Sequence, residues 1–445
     1  KMLPRIVKLA VTDVRFPTSL EQHGSDAMHT DPDYSAAYVV IDTDCGLKGF
    51  GLTFTLGKGT EIVVCAVEAL ARLVVGKSLQ EIVSDFGGFY RLLTSESQLR
   101  WLGPEKGVIH LASAAVLNAV WDLWARAEGK PLWKLLVDMD PKQIVSCIDF
   151  RYITDALTEE EALDILLKAR EGRKQREDQM LREGYPAYTT SCAWLGYSDE
   201  LLTQLCADAL GNGWTKFKVK VGADLEDDRR RCRLIREMIG PSNTLMMDAN
   251  QRWDVAEAIR WVSSLADFKP LWIEEPTCPD DILGHAAISK ALAPLGIGVA
   301  SGEQCHNRVM FKQFLQASAL FVQIDSCRLG SVNENLAVLL MAHKFQVPVC
   351  PHAGGVGLCE LVQHLILFDY ICVSGSLANR MCEYVDHLHE HFASPVVIRN
   401  GHYIAPEDIG YSCEMLESSV QSHRYPEGDV WKANTSKPEV KMDTF

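Results

Sequence analysis

Over residues 6–140, short apolar runs at 38–41 and 51–54 give way to longer segments, 62–75 and 108–128, where apolar residues recur every three to four positions. The first pattern predicts strands and the second predicts helices with one buried face, so this part reads as an α+β domain. From about Ser146 the texture changes to short β-rich runs separated by helical segments. The predicted strands are 145–150, 215–221, 244–247, 271–273, 297–300, 320–324, 347–350 and 371–374. Repeated β-then-α units point to a closed parallel barrel. An open doubly wound sheet would carry a Gly-rich phosphate turn after its first strand, and none follows Phe150. Residues 158–183, dense in Glu, Lys and Arg at helical spacing, read as a solvated helix pair inserted after that first strand. Beyond Phe392 the chain is turn-rich, with Pro395, Pro406, Pro426 and Pro438 and a strand-like run at 396–398. It is expected to cross back onto the amino-terminal domain and to end in a loose tail, 434–445.

Composition narrows the classes. The chain has 445 residues, 47% hydrophobic and 23% charged, enough for a large core and unlike a disordered or collagenous chain. Apolar stretches such as 112–120 fall short of the ~20 residues of a membrane span, so no membrane role is expected. Lys plus Arg number 44 against 59 for Asp plus Glu, a net charge of −15, which gives no basic footprint for nucleic acid. An acidic small substrate is compatible with that field only where a cation supplies local positive charge. The 14 cysteines lie singly with no Cys-x-x-Cys pair, which removes zinc ribbons and dithiol redox motifs and suggests a reducing, intracellular compartment. Lys1 ahead of Met2 reads as an altered or trimmed start, and no targeting segment is legible there.

In a parallel barrel, polar groups at the carboxyl ends of the strands face one pocket. Those groups are Lys218 and Lys220, Asp248 and Asn250, Glu274, Glu303, Asp325, His352 and, beyond the eighth predicted strand, Glu383. Asp248, Glu274 and Glu303 end consecutive strands. Each alone could be an ordinary loop acid, but three carboxylates around one point call for a hard divalent cation, and all-oxygen ligation favours Mg²⁺ over zinc. Lys218 and Lys220 alternate on a strand and share a face. If that face is solvated they are a surface pair. If it points inward, Lys218 and a nearby cation are expected to lower the pKa of Lys220 toward that of a base. Asp325 on the neighbouring strand is placed to fix the tautomer of His352 and raise its pKa. Asn250 is either a hydrogen-bonding group aimed with Asp248 or a turn residue before Gln251. Glu383 either fixes a substrate hydroxyl or is an exposed loop acid beside Arg380.

These residues resemble the enolase superfamily, in its mandelate racemase branch, which is marked by a Lys-x-Lys strand, three acidic Mg²⁺ ligands and a His-Asp dyad; a Lys or His base with Mg²⁺ is that superfamily's known pattern. Within the branch, residues 184–191, 247–253 and 351–357 are similar to the L-fuconate dehydratases, and Gly24, Ser25, Asp26 and Tyr34 are similar to the family's substrate-covering loop. The resemblance implies an α/β fold, a modified (β/α)8 TIM-type barrel at 141–392 with an α+β cap formed by 1–140 and the returning segment 393–445. It implies an Mg²⁺ cofactor on Asp248, Glu274 and Glu303, catalysis by Lys220, His352 and Asp325, and substrate contacts from the loop residues, Lys218, Asn250 and Glu383. The implied reaction takes L-fuconate to 2-keto-3-deoxy-L-fuconate by C2 proton abstraction, an enediolate intermediate and loss of the C3 hydroxyl. Which of Lys220 and His352 is the base depends on configuration at C2. A small acid sugar is the expected partner. A homo-oligomer is compatible with a barrel enzyme, since these often associate symmetrically, and the resemblance implies a mitochondrial location, with the cytosol left open. A racemase or epimerase of a 2-hydroxy acid, and a non-catalytic binding or regulatory member of the same fold, are the alternatives. A muconate-type cycloisomerase would need a second catalytic Lys on the sixth strand, where Asp325 stands.

Overall fold

The computed structural model describes residues 3–317 and 321–433. Strands β1 (Ile6–Arg15), β2 (Ser35–Thr43) and β3 (Lys48–Thr55) form an antiparallel sheet in chain order. The helix Gly107–Glu128 packs against β3. Contact is close because β3 carries glycine there: a Cβ on Gly51 would lie 2.3 Å from the Ala119 nitrogen and 2.5 Å from the Ala115 oxygen. By length and composition this helix is apolar enough to cross a membrane, but it is the buried centre of the cap, with Trp121 stacked on Phe86 at 4.5 Å.

The barrel is built from β4 (Tyr185–Thr189), β5 (Lys216–Lys220), β6 (Thr244–Asp248), β7 (Trp272–Glu274), β8 (Gly298–Ser301) and β9 (Phe321–Val322), paired in parallel in that order. Val349 bridges Val322 in parallel as the seventh strand position. Strand β10 (Cys382–Tyr384) then closes the ring by pairing in parallel with β4, and the Glu383 N–H donates to Pro351 O at 3.2 Å. The expected barrel with an α+β cap is therefore present, with its interior strands where the sequence put them.

Its first and last strands are elsewhere. Of residues 145–150, the first two end the helix Pro141–Ser146, which opens with an Asp140 side-chain cap and Pro141 in its first turn; residues 371–374 belong to a π-helical extension, Tyr370–Ser374, of the helix Leu358–Asp369. A short apolar run bears no period that separates a buried helix from a buried strand. The true first strand, β4, was disguised by Pro186, a residue that strands tolerate mainly at edges or ends. The charged segment does form two helices, Glu159–Lys168 and Arg173–Glu183, but they precede the first strand. The returning segment pairs as β11 (Ile398–Arg399) and β12 (His402–Tyr403), the latter against β4, and then meets the cap: Met415 N donates to the Tyr38 hydroxyl at 3.0 Å and Tyr425 N to Asp13 O at 2.9 Å. The expected tail, 434–445, lies outside the described residues.

A buried ion network joins cap to barrel. Arg308, at the start of the helix Arg308–Ala317, donates through Nη1 to Glu105 (2.6 Å) and Glu334 (2.9 Å). The other oxygen of Glu334 meets His110 Nε2 at 2.7 Å. Burial pushes the Glu334 carboxyl up, but His110 and Arg308 outweigh it and bring its pKa down to about 2. Removing one partner of such a buried cluster strands the remaining charges. We expect Glu334→Gln to destabilise the protein by about 3–5 kcal/mol at neutral pH in denaturant melts. The Glu334 carboxyl titrates lower in the folded than in the unfolded state, so its contribution is complete above about pH 4.5 and is lost as pH falls toward about 2. The stability gap between wild type and variant should therefore narrow over that range.

Candidate active site

Strand register assembles the site. Lys220 stands opposite Asp248 across β5 and β6, and Asp248 opposite Glu274 across β6 and β7, so three charged side chains occupy one level of the barrel mouth. Alternation along β5 turns Lys218 to the same interior one level lower, where it is 1% exposed. Its ammonium donates to Glu274 at 2.7 Å and lies 2.8 Å from Glu383 and 3.5 Å from Asp248. Burial lowers the Lys218 pKa, but Glu274 and Glu383 outweigh it and hold the group well above its ordinary value.

Lys220 donates to Asp248 at 2.6 Å and to Asn250 Oδ1 at 3.0 Å, with the Trp194 ring 5.2 Å away. Burial again lowers its pKa and Asp248 raises it further, so the net shift is upward. The expected lowering supposed a cation at the site; here Asp248 lies directly on the ammonium and outweighs Lys218, which acts in the expected downward direction. Its backbone is clamped from outside the barrel: the buried Arg231 donates to Lys220 O (2.7 Å), Ala193 O (3.1 Å) and Trp194 O (3.3 Å).

Across the mouth, His352 Nδ1 bonds Asp325 Oδ2 at 2.7 Å, and Nε2 lies 3.0 Å from Glu303 Oε2. The second Asp325 oxygen accepts from the Cys327 and Arg328 N–H groups, both at 2.7 Å, which fixes the dyad's orientation. Burial opposes the imidazolium, but Glu303 and Asp325 prevail and hold its pKa well above the usual histidine value, as expected.

The predicted residues converge, though not all in the expected way. Gly24, Asp26, Tyr34, Lys220, Asn250, Glu303, Asp325, His352 and Glu383 line one cavity of about 340 Å³. Lys218, Asp248 and Glu274 lie beneath its floor, and Ser25 turns away to donate to Thr30 O at 3.2 Å. Asn250 does not continue the strand: its φ of 46° is left-handed, so the turn alternative is correct for its backbone while its side chain still reaches Lys220. Glu383 is no exposed loop acid. It sits in β10 at 1% exposure and accepts from Thr190 Oγ1 and from Ala353 N at 3.0 Å. The cap loop is pressed on Tyr34, since a Cβ on Gly24 (φ +80°) would fall 2.4 Å from the Tyr34 hydroxyl. A larger hollow of about 690 Å³ beside Lys344, Ser374 and Arg380 lies at the opposite, amino-terminal end of the strands, away from these groups.

The electrostatics are unbalanced. Asp248, Glu274, Glu303, Asp325 and Glu383 are all buried, and the cations in direct contact with them are Lys218, Lys220 and His352, so the carboxylates outnumber the cations that touch them. Burial and Asp248 push the Glu274 carboxyl up, and its Oε1 is buried with no partner. Among the described residues, no three His, Cys, Asp or Glu side chains converge on one point; each of the three expected ligands is drawn instead to its nearest cation. An orphaned carboxylate oxygen, an all-oxygen donor set and more carboxylates than contacting cations suit a hard divalent cation.

Sequence reasoning missed His29, Thr190, Trp194, Arg231 and Glu275. The strand-end rule would have found Thr190 and Trp194 had β4 been recognised. Glu275, beside Glu274, is fully buried and takes a hydrogen bond from Gln251; burial and Glu303 push its pKa well up.

Residues 10–137 match the mandelate racemase/muconate lactonizing enzyme N-terminal domain, and residues 201–419 match the enolase C-terminal domain-like family. The chain is 75% identical to human mitochondrial enolase superfamily member 1 over 96% of its own length and 97% of that protein. It superposes on the crystal structure of the human protein with a TM-score of 0.97 at 74% identity, covering 98% of this chain and 100% of that one. L-galactonate dehydratase of Hypocrea jecorina is 54% identical over 93% of this chain and 92% of that protein. A Streptomyces coelicolor racemase crystallised with bound magnesium shares the fold at a TM-score of 0.71 and 26% identity, covering 92% and 97%. The chain belongs to the enolase superfamily, in its mandelate racemase/muconate lactonizing enzyme branch.

Proposed function

We propose that this protein is an Mg²⁺-dependent dehydratase of acid sugars that converts L-fuconate to 2-keto-3-deoxy-L-fuconate. The observation that carries the reading is the placement of Lys220 and the His352–Asp325 dyad on separate walls of one cavity, above a floor where buried carboxylates outnumber the cations that touch them. The relatedness to an L-galactonate dehydratase and to a magnesium-bound racemase supports it.

Asp248, Glu274 and Glu303 would hold Mg²⁺, which supplies Lewis acidity to the substrate carboxylate and so acidifies the C2 proton. Lys220 accepts that proton. Its strongest partner, Asp248, is released once that carboxylate serves as a ligand, and Lys218 alongside then disfavours the ammonium. Lys218 supplies fixed positive charge beneath the carboxylate as negative charge builds there. His352, kept protonated by Asp325, donates from Nε2 to the departing C3 hydroxyl, after which the enol ketonises. Asn250 and Glu383 hold substrate oxygens, and Trp194 walls Lys220 from water. The human relative's name is the support for a mitochondrial location.

A racemase or epimerase is the second reading, because two proton-transfer groups on different walls of one cavity also suit inversion at a single carbon. Incubation with L-fuconate and Mg²⁺ in D₂O, followed by proton NMR, separates the two. We expect 2-keto-3-deoxy product, abolished by EDTA; deuterium entering C2 without product would establish the racemase reading instead. Lys220→Ala should cut dehydration about 10²–10⁴-fold with an unchanged thermal melt, and full activity in that variant would remove Lys220 from the reaction.

A further inference from the structure

Where the cap meets the segment that leads into the barrel there is a hollow of about 730 Å³, which shares no lining residue with the cavity that holds Lys220 and His352. We propose that this hollow binds a small phosphate ester carrying a flat ring, of the size of a mononucleotide, with Arg100 and Arg151 on the phosphate and the Trp101 and Tyr152 rings on the flat part.

The charge of the hollow runs against that of the chain. The protein carries −15 overall, yet two of the lining residues are arginines and none is acidic. Arg100, on the short helix Leu99–Leu102, makes no side-chain hydrogen bond or ion pair among the described residues, and its Nε is buried without an acceptor. Glu96, one turn earlier, is spent on its own loop: its Oε2 accepts from the Gln98 and Leu99 N–H groups at 2.9 and 2.7 Å. Arg151 donates through Nη2 to Ser95 Oγ at 2.9 Å, and its Nε too is buried without an acceptor. Glu105 and Asp149 stand 3.8 and 3.9 Å from Arg151, but Arg308 holds both more closely, at 2.6 and 3.4 Å. Two guanidiniums with donors to spare, beside the hydroxyls of Ser95 and Ser97, suit the oxygens of a phosphate, which accept from several directions.

The aromatic lining asks for a second kind of contact. Trp101 is 91% exposed, a large indole face that the chain itself does not cover. Tyr152 holds φ at +74°, a left-handed backbone that is costly for a bulky side chain and is concentrated at ligand clamps. Both sides of this residue are pinned: Arg151 O accepts from Arg308 Nε and Nη2 at 3.2 and 2.9 Å, and Tyr152 O accepts from Lys312 Nζ at 3.1 Å. The Arg151 guanidinium lies 5.0 Å from the centre of the Tyr152 ring, so charge and ring are presented together. Aromatic side chains stack on the π-face of a base, and a hollow of this size is larger than a bare phosphate needs. A second copy of the chain fits less well. An isologous contact pairs a patch with itself and would set arginines against arginines.

The test is calorimetric titration of the full chain, with Mg²⁺ present, against AMP, ribose 5-phosphate and adenosine, which separate the ring from the phosphate. We expect AMP to bind about tenfold more tightly than ribose 5-phosphate, and adenosine to bind more weakly than AMP by a similar factor. Arg100→Ala should weaken both phosphates about tenfold or more. Trp101→Ala should weaken AMP about tenfold while leaving ribose 5-phosphate within about twofold, with an unchanged thermal melt because the indole is outside the packed core. No binding of AMP at millimolar concentration, equal affinity for AMP and adenosine or for AMP and ribose 5-phosphate, or AMP binding that Arg100→Ala leaves intact would each overturn the proposal. So would a change in oligomeric state on Trp101→Ala, read by light scattering, with AMP binding unaltered; that result would give this face to a second copy of the chain.

Discussion

The barrel mouth is organised by the need to bury five carboxylates close together. Such a set is tolerable only when cations sit among them. Lys218 meets most of that need from below, touching Glu274 and Glu383 and lying near Asp248, while Lys220 and His352 take Asp248 and Glu303 from the two sides. Glu274 is left least compensated: its second oxygen has no hydrogen-bond partner, and burial and Asp248 push its carboxyl up. The same crowding of carboxylates that makes the site suited to a divalent ion also sets the protonation of Lys220 and His352, since each leans on a carboxylate the ion would share.

Around that centre the work divides between two bodies of the chain. The barrel supplies the chemistry from strand ends held in fixed register, with outer residues such as Arg231 pinning backbone carbonyls so that Lys220 and Trp194 keep their relation. The cap adds a loop pressed on Tyr34, and His29 from that loop lines the cavity. The cap is held firmly on the barrel. The Arg308–Glu334–His110–Glu105 network does this with buried charge, and the returning segment adds backbone bonds to Tyr38 and Asp13.

Much of this was legible in the chain. Alternation on β5 revealed the Lys pair, and the spacing of β-rich runs located six of the barrel's strand positions and with them Asp248, Glu274, Glu303, Asp325 and His352. The failures share one cause. Where a run was too short to show a period, as at 145–150 and 371–374, helix and strand could not be told apart, and a Pro in β4 concealed a real strand. Losing β4 hid Thr190 and Trp194, and misplacing the eighth strand left Glu383 outside the barrel.

What the sequence determined by itself was the set of groups and their order around the ring, because side-chain periodicity and strand ends are local properties. Only the tertiary structure decided their electrical state and their partners. The rise in the Lys220 pKa, the reach of Asn250 to Lys220 and the separation of the three carboxylates onto three cations all depend on distances between distant segments. Coulombic and desolvation energies vary with those distances and with burial, and neither quantity is written in the spacing of residues along the chain.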